Sequence, residues 1–178
     1  GINSIITSKK CLTGTDRIAE VSKKIKKKIY INVQGDEPIC NPKDIRKIVN
    51  FAKKNPNLIV NGYTEINDKK MFNSPNVPKV VFDKNEKLLF MSRSPIPSNK
   101  KRRFIKAWRQ VCIYSFPYKS LKIYTSVKKK TPLELIEDLE SNRFLELGYE
   151  VKMLKMSNKS VAVDTKEDLV KVKKIVKD

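Results

Sequence analysis

The sequence predicts an α/β fold in which helices cover a parallel β-sheet. Residues 29–64 contain two β-branched, apolar runs separated by one amphipathic run, which is the order expected when a helix joins two parallel strands. Hydrophobic residues make up 39% of the 178 residues, so the chain can bury a core and wholesale disorder is excluded. This length fits one domain, which we take as residues 1–178.

Four elements are predicted in the first third of the chain. Ile18, Val21 and Ile25 recur at helical spacing, and the β-branched run that follows them ends abruptly at a Gly-Asp-Glu-Pro sequence. Asn41 is a typical helix N-cap, and the proline after it suits the first helical position. The predicted elements are a helix at 15–27, a strand at 29–33, a helix at 42–54 and a strand at 58–64.

The rest of the chain begins with a hairpin and ends with a helix. Residues 83–87 form a polar turn between two apolar runs, and two prolines followed by basic residues predict a mobile loop at 94–109. Thr131 and Glu134 form a capping-box pattern, and Gly148 is a helix stop. The predicted elements are strands at 79–82, 88–91 and 110–116, a helix at 131–147, strands at 150–156 and 160–163, and a final helix that begins at Thr165.

The formal net charge of +20 first suggests a nucleic-acid partner. However, 32 of the 39 basic residues are lysine and only 7 are arginine, whereas proteins that read nucleic acids favour arginine. The lysine runs also lie between the periodic segments rather than along one helix face. We therefore interpret most of the charge as solvated surface and expect no nucleic-acid partner. A basic binding domain or a non-catalytic interaction domain is the alternative.

The composition narrows the chemistry that is available. The absence of histidine excludes the commonest general base and metal ligand, so catalysis must use other side chains or a bound metal. Three widely spaced cysteines without a CxxC pattern predict reduced thiols in a cytoplasmic protein rather than a disulfide framework or a zinc site. No window approaches the roughly 20 apolar residues of a membrane span.

Two aspartates follow predicted strands directly. Asp36 lies in the Gly-Asp-Glu-Pro sequence, and Asp164 follows the short apolar run before the last helix. In α/β proteins the carboxyl edge of the sheet binds ligands, and Mg²⁺ prefers carboxylate oxygens together with phosphate oxygens. A shared metal site is one interpretation. The alternative is that Asp36 stabilises a turn and Asp164 caps a helix.

Other charged residues have both structural and functional interpretations. Residues 14–17 form a loop-to-helix junction, where free backbone N–H groups attract anions. Arg93 follows an apolar strand and suits a carboxylate or a phosphate, or else a surface ion pair. Glu134, Glu137, Glu140 and Arg143 are spaced three residues apart on one predicted helix, an array that usually only stabilises the helix.

The order of the motifs is more specific than any one of them. The sequence GTDRIAEV is followed by INVQGDEP, VPKVVFD, LLFMSRSPIP, QVCIYSF, TPLELIEDLE and VAVDTKEDL. This series resembles the CMP-Kdo synthetase family, the 3-deoxy-manno-octulosonate cytidylyltransferases. The resemblance covers nearly the whole chain, and the NVQGDEP and SRSPIP blocks are its most specific parts.

The resemblance implies a fold and an activity. The fold is a three-layer, Rossmann-like nucleotidyltransferase with a mixed sheet, and residues 79–116 are an insertion that builds a homodimer and part of the sugar pocket. The activity is Mg²⁺-dependent transfer of CMP from CTP to a 2-keto-3-deoxy sugar acid, Kdo or a relative, with release of pyrophosphate. Such enzymes serve lipopolysaccharide or surface-polysaccharide biosynthesis in the cytoplasm.

The resemblance also assigns roles to individual residues. By position, Asp36 and Asp164 match the metal-binding aspartates, and Arg17 matches a residue near the nucleotide and the sugar. These three are the implied catalytic residues. The implied nucleotide-side residues are Gly14, Thr15, Arg17 and Gln34. The implied sugar-pocket residues are Arg93, Gln110, Tyr114 and Glu140.

The chain departs from the family pattern in two ways. Gln110 replaces a histidine and Ser141 replaces a glutamine, and both changes fall in the implied sugar pocket. Nothing in the sequence matches the ARxxSxRLPGK loop with which the family begins. We therefore expect the opening β-α-β portion, and with it much of the triphosphate site, to be missing from this chain, and a truncated enzyme of this kind would be inactive alone.

Overall fold

The computed structural model describes residues 3–163 and 165–177, which contain seven helices and six strands. The helices are α1 (Gly14–Lys24), α2 (Pro42–Lys54), α3 (Lys69–Asn73), α4 (Tyr118–Tyr124), α5 (Pro132–Glu137), α6 (Glu140–Glu146) and α7 (Lys166–Lys177). The strands are β1 (Ile29–Val33), β2 (Ile59–Glu65), β3 (Lys79–Phe82), β4 (Leu88–Ser92), β5 (Trp108–Pro117) and β6 (Val151–Lys155). The predicted α/β class is confirmed.

The six strands form one mixed sheet. Five of them follow the order β4-β3-β5-β2-β6, and β1 pairs with β5. Ile31 of β1 and Val60 of β2 both lie opposite Ser115, so β1 and β2 occupy the two edges of β5 and are both antiparallel to it. The prediction of a parallel sheet is therefore wrong for these neighbours. Strands β1 and β2 run in the same direction, but β5, which comes later in the sequence, lies between them.

Helices cover both faces of the sheet, which gives the three layers that the resemblance implied. Ile48 of α2 packs on one face against Val60, Val111 and Ile113. The opposite face carries the larger part of the core and is covered by α1, α4 and α6. The buried residues of these three helices in that core are Ala19, Leu121, Tyr124 and Phe144.

The predicted helix at 131–147 is two helices. Asp138 adopts the left-handed conformation (φ 52°, ψ 47°), which ends α5, and α6 begins at Glu140. Aspartate tolerates this conformation better than most residues do. The predicted start is correct, because the N–H of Thr131 donates to Oε2 of Glu134 at 3.2 Å. The capping pattern was thus visible in the sequence, whereas the break was not.

Other elements also differ from the predictions. Strand β5 begins at Trp108, inside the predicted loop, and the short helices α3 and α4 were not predicted. Residues 160–163 are not a strand. Their polar groups bond instead to the turn after β1: the N–H of Val163 donates to the carbonyl oxygen of Asp36 (2.8 Å), and the hydroxyl of Ser160 donates to the carboxylate of Glu37.

A buried ion pair joins the two helices at the break. Arg143 is completely buried and donates from Nε and Nη2 to the two carboxylate oxygens of Glu134. Its Nη1 lies 3.4 Å from Asp16 of α1, and its guanidinium carbon lies 3.8 Å from the centre of the Tyr124 ring. The hydroxyl of Tyr124 donates to Glu134 at 3.0 Å. One guanidinium thus connects α1, α4, α5 and α6.

We predict that this pair is strongly coupled. Arg143→Met leaves the carboxylate of Glu134 buried without its cation and should lower the free energy of unfolding by about 3–5 kcal/mol. The double variant Arg143→Met/Glu134→Leu should lose clearly less than the sum of the two single losses, because it leaves no unpaired charge. Urea denaturation measures all three values.

The exposed pair Lys87–Glu150 is the matched control, with side chains 45% and 65% exposed. Lys87→Met should cost at most about 1 kcal/mol. Strict additivity of the Arg143 and Glu134 substitutions would show that the buried pair is not coupled.

Candidate functional site

An open cleft of about 500 Å³ lies at the carboxyl edge of the parallel strands. Three segments that follow these strands contribute to its wall: residues 34–37 after β1, residues 68–71 after β2 and residues 160–162 after β6. Strand β5 forms its floor with Arg109, Gln110, Cys112 and Tyr114. Open α/β sheets bind their ligands at this edge, so the cleft is the candidate site.

The structure brings together most of the residues that the sequence singled out. Six of them line the cleft, namely Gln34, Asp36, Arg93, Gln110, Tyr114 and Glu140. Gly14 and Thr15 do not line it, but their N–H groups donate to the carboxylate of Glu140. Arg17 is exposed, and its Nη1 donates to the hydroxyl of Thr7 (2.8 Å) and the carbonyl oxygen of Ser8 (3.2 Å). Asp164 lies outside the described residues.

Glu140 supplies the anion at the start of α1. Its two carboxylate oxygens accept from the N–H groups of Gly14 and Thr15, both at 2.9 Å, and Oε2 also accepts from the Thr15 hydroxyl. Gln34 Nε2 lies 3.4 Å from Oε1. Burial raises the pKa of Glu140, and the hydrogen bonds from Thr15 and Gly14 oppose that shift. The N–H groups that the sequence suggested for a substrate anion are therefore occupied by a side chain of the same protein.

Asp36 is the carboxylate that fits a cation. Its side chain is exposed on the cleft, and among the described residues no group donates a hydrogen bond to it or forms an ion pair with it. A single carboxylate together with phosphate oxygens is a common Mg²⁺ site. The described residues contain no cluster of three or more acidic or cysteine side chains that could hold a metal alone. The donor set therefore fits a cation that arrives with a phosphate ligand.

Arg93 holds the cleft wall together. Its guanidinium donates to the carbonyl oxygens of Glu137 (2.7 Å), Pro75 (2.9 Å) and Asp138 (3.3 Å). Its own N–H donates to Glu137 Oε2 at 2.8 Å. These contacts join the end of β4 to the break between α5 and α6. The side chain is still 35% exposed and lines the cleft. Its role toward a ligand stays a prediction.

The cleft floor includes polar side chains that the sequence analysis did not select. Glu37 is buried, accepts from the N–H of Cys112 at 2.9 Å, and accepts from Ser160. Arg109 is buried and donates from Nη2 to the carbonyl oxygen of Ser160 at 2.7 Å. Burial lowers the pKa of Arg109, and the nearby carboxylate of Glu37 opposes that shift. Glu37 was visible in the Gly-Asp-Glu-Pro sequence, but Arg109 fell in the predicted loop and gave no signal.

A buried lysine supports the same wall. The side chain of Lys79 in β3 is fully buried, and its Nζ donates to the carbonyl oxygens of Ser74 (2.8 Å) and Arg93 (2.5 Å). Burial first, and then the charge of Arg93, lower the pKa of Lys79 to about 8, against the opposing effect of Glu137. A lysine bonded to the backbone of two cleft-lining residues, Ser74 and Arg93, therefore loses its proton within an accessible pH range.

Comparisons with known proteins identify relatives along the whole chain. The sequence profile of the cytidylyltransferase family matches residues 1–168. The 3-deoxy-manno-octulosonate cytidylyltransferase of Fusobacterium nucleatum is 37% identical over 180 residues, which cover 100% of this chain and 73% of that protein. The enzyme of the same name from Chloroherpeton thalassium is also 37% identical and is covered to 73%.

A solved structure supports the same assignment. CMP:2-keto-3-deoxy-manno-octonic acid synthetase, complexed with CTP, superimposes with a TM-score of 0.83 at 29% identity, over 93% of this chain and 68% of that one. The comparisons favour the catalytic interpretation of the sequence over a basic binding domain.

Among the described residues no helix is long and apolar enough to cross a membrane.

We predict that Lys79 makes the stability of the fold depend on pH. Between about pH 8 and 10.5 the unfolded chain keeps the Lys79 proton and the folded chain loses it, so the unfolded state binds more protons. This residue's contribution to the free energy of unfolding should therefore rise with pH in that window, by at most about 3 kcal/mol. Lys79→Met should remove that part of the slope in urea denaturation series.

Lys128 is exposed and is the matched control for the loss of one lysine. Lys128→Met should keep the wild-type slope. An unchanged slope in Lys79→Met would contradict the prediction.

Proposed function

The chain belongs to the cytidylyltransferase family, and from this premise we propose that it transfers CMP from CTP to 3-deoxy-manno-octulosonate, releasing pyrophosphate. The observation that carries the proposal is the 37% identity to a relative with that activity over 100% of this chain. The cleft supports it, because six residues implied by the family resemblance line one cavity. A related 2-keto-3-deoxy sugar acid is the alternative substrate, since Gln110 departs from the family pattern inside that cavity.

The reaction needs positioning and charge stabilisation rather than a strong base. The anomeric hydroxyl oxygen of the sugar acid forms a bond to the α-phosphorus of CTP, and the bond from that phosphorus to the oxygen bridging to the β-phosphate breaks. Pyrophosphate leaves with that oxygen, and the hydroxyl proton passes to solvent. Such a transfer is accelerated mainly by orientation and by groups that stabilise the charge on the phosphates. A chain without histidine can supply both.

We assign the described residues to these tasks. Asp36 would hold Mg²⁺, which neutralises negative charge on the phosphates when it is bound. Asp164, which lies outside the described residues, is the second ligand that the family resemblance implies. Glu140 fixes the start of α1 and the side chain of Gln34. Gln110 and Tyr114 form the floor against which the sugar acid would lie.

We also propose that residues 79–116 form a homodimer interface and that the enzyme works in the cytoplasm. Strand β4 is an edge of the sheet, and its Leu89 is 58% exposed. Ile105, in the loop before β5, is 79% exposed. Exposed apolar side chains beside an unpaired strand edge are suited to contact a second copy. The three free cysteines agree with a reducing compartment.

The first prediction from this proposal concerns turnover. Pyrophosphate release should require CTP, Kdo and Mg²⁺ together, and removal of the metal with a chelator should abolish it. Because the chain spans 73% of the length of the Fusobacterium relative, the assay should be run on this chain and on a chimera that adds the relative's unmatched residues. A chimera that folds and binds CTP but does not accept Kdo or a relative of Kdo would contradict the proposed substrate.

The second prediction concerns the proposed metal ligand. Asp36→Asn keeps the size of the side chain but removes its charge, so turnover should fall by at least about a hundredfold. Asp83→Asn is the matched control, because Asp83 lies in the turn between β3 and β4 and Asn85 and Lys87 donate to its Oδ1, an atom that asparagine retains. Binding of Mn²⁺ in the presence of CTP should weaken in the first variant only. Equal effects in both variants would refute the role of Asp36.

A further inference from the structure

The strand that forms the cleft floor contains an irregularity. In the pairing of β2 with β5, Asn61 lies opposite Tyr114 but the next residue, Gly62, lies opposite Val111, so two residues of β5 are left without a partner in β2. Asn61 is fully buried at this point. Its Nδ2 donates to the carbonyl oxygens of Val111 and Ile113, both at 3.1 Å. The side chain of Asn61 therefore replaces hydrogen bonds that regular strand pairing would have made.

These two bonds fix the orientation of the Asn61 amide. Both acceptors are backbone carbonyls, so only the NH₂ group can face them, and Oδ1 must point the other way. Oδ1 accepts from Nε2 of Gln110 at 3.0 Å. The same Nε2 donates its second hydrogen to the hydroxyl oxygen of Tyr114 at 2.6 Å. The orientation of the Gln110 amide is thus fixed by Asn61 on one side and by Tyr114 on the other.

The chain of bonds leaves two groups unused on the cleft floor. Gln110 and Tyr114 both line the cleft although each is more than nine-tenths buried. Among the described residues, no group donates to Oε1 of Gln110, and none accepts from the hydroxyl of Tyr114 once that oxygen has accepted from Gln110. Burial raises the pKa of Tyr114 well above its ordinary value, so the hydroxyl keeps its hydrogen. This part of the floor therefore offers one acceptor, Oε1 of Gln110, and one donor, the hydroxyl of Tyr114. The bond from Nε2 of Gln110 to the hydroxyl oxygen holds the two side chains beside each other.

We propose that Asn61 is a positioning residue that sets this donor and acceptor pattern, and that the pair binds a hydroxyl group of the sugar acid. A hydroxyl can accept from Tyr114 and donate to Oε1 of Gln110 at the same time. A carboxylate or a phosphate oxygen can only accept and would face Oε1 unfavourably. The Gln110 and Tyr114 pair thus suits a hydroxyl of the sugar acid rather than its carboxylate or the phosphates of CTP. This inference rests on the proposed function and deepens it.

The effect of Asn61 should appear in sugar binding alone. Asn61→Leu removes the acceptor that holds the Gln110 amide, so the dissociation constant for Kdo should rise about fivefold to tenfold, the equivalent of one lost hydrogen bond. The dissociation constant for CTP should not change. Titration calorimetry with each ligand separately measures both values without relying on turnover.

A second set of variants tests whether Asn61 acts through Gln110. Gln110→Leu and Tyr114→Phe leave both bonds from Asn61 to β5 in place, so they should fold even if Asn61→Leu does not. Each should weaken Kdo binding and spare CTP binding. In the Gln110→Leu background, Asn61→Leu should add little or nothing to the loss. Independent, additive losses would overturn the positioning role.

Monodeoxy analogues of the sugar acid identify the group that is bound. The analogue that lacks the recognised hydroxyl should bind the wild-type chain more weakly than Kdo does, and Gln110→Leu should not weaken its binding further. If every analogue loses as much affinity in Gln110→Leu as Kdo does, the floor does not bind a hydroxyl. If all three variants bind Kdo with the affinity of the wild-type chain, this inference is overturned and the proposed function stays intact. If the wild-type chain binds CTP but binds neither Kdo nor a related sugar acid, both the inference and the proposed function are overturned.

Discussion

The buried contact of Arg143 with Glu134 is the interaction on which the arrangement of the helices depends. It forms only because Asp138 interrupts the helix and separates α5 from α6. Glu134 and Arg143, nine positions apart in sequence, can then face each other as an ion pair. Charges without access to water are stable only when they are paired and hydrogen-bonded. Tyr124 and Asp16 complete the shell of this guanidinium and bring α4 and α1 to it.

The same break determines the wall of the cleft. Glu140 opens α6 and reaches back to the first turn of α1, while Glu137 at the end of α5 accepts from Ser92 and Arg93 at the end of β4. Three glutamates that are evenly spaced in the sequence therefore have three separate partners. An uninterrupted helix would have placed all three on one face, and the cleft would have lost the contacts that hold α1 and β4 beside it.

The lining of the cleft is divided between charged side chains and one neutral pair on its floor. Arg93 and the exposed carboxylate of Asp36 line its wall, where the anionic nucleotide and the proposed cation would lie. Beside the buried charges of Arg109 and Glu37, Gln110 and Tyr114 form a neutral pair on the floor, and Asn61 fixes the orientation of this pair from within the sheet. Such a division suits a reaction that joins a charged nucleotide to a polyol. The high net charge of the chain contributes little to it, since most of its lysines are on the surface.

The sequence by itself determined the fold class, most strands, the Asn41 and Thr131 helix starts and six cleft residues, because periodicity, capping and motif order are properties of local sequence. It did not determine that β5 lies between β1 and β2, that one predicted helix is two, or that Asn61 takes part in the site. Asn-Gly is typical of a tight turn, yet Asn61 and Gly62 lie inside β2, where a Cβ at Gly62 would come within 3.0 Å of Met156 and 3.2 Å of Val111. These features depend on contacts between residues that are far apart in sequence, and only the tertiary structure brings those residues together.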